Sequence, residues 1–129
     1  MASTRVESYL TLAEDDLELA SQPTTGSRHA AYLLSQAVEK AARAVCEHVA
    51  VGNSHNIGFI GALLPKDHPM RDLIEAQNHH SPASTRYRYP DPSGRVPRPP
   101  SDESIKRLIF EVRDFVDTVR EHVTGGASP

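Results

Sequence analysis

Cysteine is almost missing from this chain: Cys46 stands alone among 129 residues. An internal disulfide is thereby excluded, and because Cys46 falls on the apolar side of a helical pattern it reads as a small buried hydrophobe, not a reactive thiol. No apolar run approaches the roughly 20 residues that a membrane-spanning helix needs. The N-terminal stretch MASTRVES has neither the basic nor the apolar region of a signal peptide, so the expected setting is the cytoplasm. Any excess of charge of one sign is small too. A formal net charge of −3 excludes a protein that coats nucleic acid or an anionic membrane by bulk charge alone, and any such contact needs a local patch. There is no glycine-rich phosphate loop, nucleophile elbow or dinucleotide fingerprint, and no internal repeat or alternating strand pattern. None of the seven histidines stands at a metal-ligand spacing with a second pair to complete the set, so neither a metal nor a cofactor is expected.

What the chain does have is helical periodicity over most of its length, and the reading is a single all-α domain over 1–129 with its core at 4–123. The segment Ser27 to His48 is the expected centre. Ala30, Leu34, Ala37, Ala41, Ala44 and Val45 recur in threes and fours, and Leu33, Val38 and Cys46 widen the stripe until it needs partners on more than one side. Its many alanines let neighbouring helices approach closely. Ahead of it, Thr4 as N-cap with Glu7 predicts a capping box opening a helix to about Ala20, with Val6, Leu10, Ala13, Leu17 and Ala20 inward. Glu14, Asp15, Asp16 and Glu18 read as a solvated acidic face, or else as a docking face for a basic partner. After Gly52 come two short apolar segments, His55 to Leu64 and about His68 to Gln77, separated by Pro65. Ser101 predicts the cap of a last helix to about Val123, carrying Ile105, Ile109, Val112, Val116, Val119 and Val123 inward. Gly125 and Gly126 stop it, and the tail over 124–129 is expected to fray.

Residues 78–100 differ from everything around them. They hold six of the chain's ten prolines and four arginines, with Tyr87 and Tyr89 between the first of them, and no helical period. We read them as a long loop. From Arg86 to Arg98, Arg86, Arg88, Arg95 and Arg98 face Asp91 alone, a local charge of +3 in an acidic protein. Guanidinium groups suit phosphate geometry, and the tyrosines suit base stacking. The structural alternative is that Tyr89 and Pro90 anchor the loop against the bundle while the arginines pair with acidic neighbours or a second subunit.

Two stretches together resemble the HEPN family of helical domains. Gln36, Glu39, Lys40 and Arg43 in SQAVEKAARAV resemble that family's second-helix pattern, and Tyr87 to Asp91, YRYPD, resembles its Arg-Tyr-Pro-Asp element. The resemblance covers about Thr4 to Val123. It implies an up-and-down bundle of four to five helices with a long Pro/Arg/Tyr loop before the last helix. It also implies a homodimer, nucleotide or RNA binding, and partnership with a minimal nucleotidyltransferase, as in toxin–antitoxin pairs. The binding residues expected on this reading are Arg86, Arg88, Tyr89, Arg95, Lys40 and Arg43. An intrahelical pair between Glu39 and Arg43 is the plainer account of the last of these.

Many members of the family are metal-independent ribonucleases with an arginine and a histidine that have four to six residues between them near the start of the last helix. Here Arg107, Arg113, Arg120 and His122 offer no such spacing. Arg43 and His48 have it in the wrong helix, where five residues turn the side chains about 140° apart. A ribonuclease toxin with an atypical site, using His79 and His80 with Arg86 or Arg88, stays open as an alternative, with a surface role at a helix end as the bland reading of the histidines. So does a pure dimerisation module.

Overall fold

The computed structural model describes residues 3–125. Its helices are α1 (Thr4–Ala20), α2 (Ser27–Val45), α3 (Ile57–Ala62), α4 (Arg71–Glu75), α5 (Ala83–Arg86) and α6 (Asp102–Val123), with a 3-10 turn at Asn78–His80 ahead of α5. There is no strand among the described residues, and no helix is long and apolar enough to cross a membrane. The last residues of the expected tail, 126–129, lie outside the described residues, as does the expected stop at Gly126.

Helix α1 is capped one residue earlier than expected. The Ser3 hydroxyl accepts from the Val6 amide at 3.1 Å, which leaves Thr4 inside the first turn. The inward stripe is as read: Val6, Leu10, Ala13, Leu17 and Ala20 are buried. Helix α2 lies between α1 and α6 and packs on both, with Ala30, Leu34, Ala37, Val38 and Ala41 fully shielded. Each large aliphatic side chain enclosed there contributes about 1.5–3 kcal/mol. The helix stops at Val45, short of His48. Beyond Cys46 the chain folds back so that the Arg43 guanidinium donates to the Gly52 and Ser54 carbonyls, and Gly52 takes φ +70°, a left-handed conformation that glycine adopts without strain.

Half of the acidic face of α1 is a fastening, not a solvated surface. Glu14 accepts both arms of Arg120 from α6 at 2.8 and 2.9 Å, Glu7 adds contacts at 3.2 and 3.3 Å, and Asp16 pairs with Lys40 of α2 at 2.5 Å. Asp15 and Glu18 remain exposed. Helix α6 begins at the expected Ser101 cap. It buries Ile105, Val112, Phe115, Val116 and Val119, with Ile109 and Val123 only partly covered.

The third member of the bundle is more broken than expected. Asn56 caps α3 through its side chain, and α4 is a single turn within the expected His68–Gln77. Residues 78–86 are not loop. Asn78 accepts from the Gly58 amide at 2.8 Å and Ser81 from the Ile57 amide at 2.8 Å, so their side chains satisfy the free N–H groups at the start of α3. A Cβ on Gly58 would sit 2.9 Å from the Asn78 side chain, so glycine there permits that approach. The irregular segment is therefore Tyr87 to Ser101.

Candidate nucleotide or RNA site

The irregular segment is held by its only acid. The Asp91 carboxylate accepts from the Ser93 amide at 2.9 Å, the Ser93 hydroxyl at 2.6 Å and the Arg95 amide at 3.0 Å, and the Asp91 amide donates back to the Arg95 carbonyl at 2.8 Å. Gly94 turns the corner at φ +81°. The Ser93 hydroxyl, helped by the two amides, holds the Asp91 carboxyl below its ordinary pKa. The one negative charge opposing the arginines is thus engaged in shaping the turn. Proline rings fix much of the remaining backbone, and Arg28 of α2 reaches the Pro97 carbonyl at 3.4 Å.

Three neighbouring cavities share this wall. The largest, about 580 Å³, is lined by Arg86, Tyr87, Tyr89, Asp91, Arg98 and five of the prolines, a size suited to a small ligand. The second, about 320 Å³, lies between Arg28, His29 and Tyr32 of α2 and Tyr87 and Arg88 of the loop. Arg88 is stacked over the Tyr32 ring at 4.9 Å and approaches Tyr89 at 5.7 Å. The third, about 110 Å³, has His79, His80, Arg86, Tyr87, Ala83 and Leu108 in its wall. Tyr87 lines all three.

Of the expected binding residues, Arg86 and Tyr89 share the first cavity and Arg88 lines the second, while Arg95 lines neither. Among the described residues, none of Arg86, Arg88, Arg95 and Arg98 has a carboxylate partner. Lys40 and Arg43 lie elsewhere. Lys40 pairs with Asp16, and Arg43 bonds to buried Glu39 at 3.2 Å while lining a separate cavity with Arg5 and Tyr9. His55 adds a second bond to Glu39 at 2.9 Å. Arg28, His29 and Tyr32 were missed in the sequence because their spacing in α2 reads only as part of a helix.

The two adjacent histidines are not both surface groups. His80 is 4% exposed, and its Nε2 lies 2.7 Å from the Glu111 carboxylate oxygen that His79 Nε2 also approaches, at 2.8 Å. Burial lowers the His80 pKa against the opposing pull of Glu111. Burial pushes Glu111 upward, but the His80 and His79 rings against it outweigh that effect and leave the carboxyl below its ordinary value. In α6, Arg120 is occupied by Glu7 and Glu14, Arg113 donates to Ser21 at 3.3 Å, and His122 lies edge-on against His68 with ring centres 5.5 Å apart.

The family model described as HEPN domain matches residues 6–122, nearly the whole chain, and the protein belongs to the HEPN domain family. No curated protein and no solved structure gives a match. Membership supports a nucleotide- or RNA-related helical module.

Proposed function

We propose that this HEPN domain binds a phosphate-bearing ligand, a nucleotide or a segment of RNA, across the cavities on either side of Tyr87. One observation carries the reading: Arg86 with Arg98, and Arg28 with Arg88, face adjoining cavities without a carboxylate partner among the described residues. Forked N–H donors free of carboxylate partners suit a phosphate, and Tyr87 and Tyr89 offer ring faces to a base. Titration of a fluorescent nucleotide and of a labelled RNA oligomer tests it. Arg86→Ala combined with Arg98→Ala is expected to weaken binding while leaving the helical signal intact, and unchanged affinity would refute the site.

The domain acts, on this reading, as a cytoplasmic homodimer beside a minimal nucleotidyltransferase in a toxin–antitoxin pair. Dimerisation draws support from Leu12 and Leu19, seven apart on one face of α1, and from Phe110 on α6, all exposed. Sedimentation of the wild type against Phe110→Ser tests that part. Cleavage of RNA at an atypical site is favoured by a separate observation, that His79, His80 and Arg86 line one small cavity. RNA degradation by purified protein in excess chelator, lost in His79→Ala, is the result that reading requires.

A further inference from the structure

His79 and His80 direct the same ring nitrogen at one oxygen of Glu111, a residue on a different helix. The other nitrogen of His79 decides what this means. His79 Nδ1 lies 3.1 Å from the Ala76 backbone carbonyl, which only accepts, so the hydrogen of the neutral ring sits on Nδ1. Nε2 then presents a lone pair to a carboxylate oxygen 2.8 Å away. Two lone pairs at that distance repel unless a positive centre lies between them: either a second proton on the ring or a metal ion. An imidazole whose Nδ1–H is tied to a carbonyl, leaving Nε2 free, is the outer-shell arrangement found behind metal-ligating histidines.

We propose that His79 Nε2, His80 Nε2 and a Glu111 carboxylate oxygen form a binding site for a first-row divalent cation of the zinc or cobalt type. The donor atoms of these residues lie within 4.8 Å of one another. An ion held about 2.0–2.2 Å from each needs the present nitrogen–oxygen distances to open by roughly half an ångström, a small side-chain movement. His79 and Glu111 have that freedom, being 49% and 41% exposed, while His80 at 4% is a fixed ligand. Two imidazoles and one carboxylate favour zinc, cobalt or nickel over magnesium and calcium, which take oxygen donors.

The 3-10 turn bearing both histidines is itself pinned, since Asn78 and Ser81 on either side of them bond to the first turn of α3. Three protein ligands leave at least one position open. Arg86 and Tyr87 share the small cavity lined by these histidines, which puts a cationic side chain close to the site. The sequence pattern hid the site because the third ligand stands more than thirty residues from the histidines, with no second His or Cys pair to announce it.

The site stands or falls without the phosphate reading, and its test uses no nucleotide. Chelator-stripped full-length protein is titrated with Zn²⁺ by calorimetry and with Co²⁺ by visible absorption. The expected result is one ion per chain, a cobalt ligand-field spectrum and a higher melting temperature with zinc. Glu111→Gln and His79→Ala, both at partly exposed positions, are each expected to lower affinity about 10- to 100-fold. His48→Ala, at a side chain 92% exposed, is expected to change nothing. No saturable binding would overturn the site. So would equal binding by the two ligand variants, or a His79 ring found doubly protonated by NMR and unmoved by zinc.

Discussion

The basic groups of the bundle and those of the loop sit in one acidic protein under opposite conditions. In the bundle, Lys40 and Arg120 each reach a carboxylate of α1 and through it tie α2 and α6 to that helix, while Arg43 pairs with Glu39 one turn back in α2 and holds the chain that follows. In the segment after α5, the arginines are oriented by proline, by tyrosine faces and by an aspartate turn, and their charge is left unspent. A cation that closes a fold is a poor receptor, because releasing it for a ligand costs the contact it already makes. Lys40 and Arg43, which carry the sequence resemblance in α2, are therefore weaker candidates for ligand contact than the loop arginines.

The contrast can be broken most forcefully at Arg43. Its removal leaves Glu39, 6% exposed, without its main counter-charge and frees two carbonyls, so Arg43→Ala is expected to cost about 3–5 kcal/mol in urea unfolding, with ligand affinity of the folded fraction unchanged. Arg86→Ala with Arg98→Ala should do the reverse. Affinity for nucleotide or RNA falls roughly 10- to 100-fold, as for loss of charge-assisted bonds, while the unfolding midpoint stays put. Arg120→Ala is smaller. Its partly exposed network contributes about 1 kcal/mol, and the difference from wild type should shrink as salt is raised, which a melting series at several ionic strengths will read.

The least effect is with pH. Burial depresses His80 from its ordinary 6.5 in the fold, so below that value the unfolded chain takes up more protons than the native one. Stability contributed by neutral His80 is complete above 6.5 and is lost as pH falls below it toward the depressed native value. Denaturation at pH 7 and pH 5.5 should show the loss in wild type and a smaller one in His80→Gln. His122, also lowered by burial and by His68, contributes with the same sign.

Periodicity made the long helices legible, and tertiary hydrogen bonds made the short ones illegible. The stripes of α1 and α2 follow directly from threes and fours, and so does most of α6, with Phe115 the buried residue that the spacing omitted. Ser3 and Thr4 are both acceptable caps by residue type, and the structure uses Ser3, whose backbone is extended while Thr4 is already helical. Asn78 to Arg86 has no helical period, yet it is helical because its polar side chains bond to α3 and its histidines to α6. The site divides in the same way. A run of arginines among prolines announces itself by composition, whereas Arg28 and Tyr32 join it only because α2 happens to pass beneath.

Cys46 offers a use that rests on its very inertness. The thiol is 1% exposed, within 3.7 Å of the Ile60 carbonyl, and pushed up to about 11 by its enclosure. Folded protein should thus be nearly inert to alkylating reagents. Being the chain's sole sulfhydryl, it becomes a native clock: the pace at which a maleimide attaches reports how often the helices around it part, without any label having to be engineered.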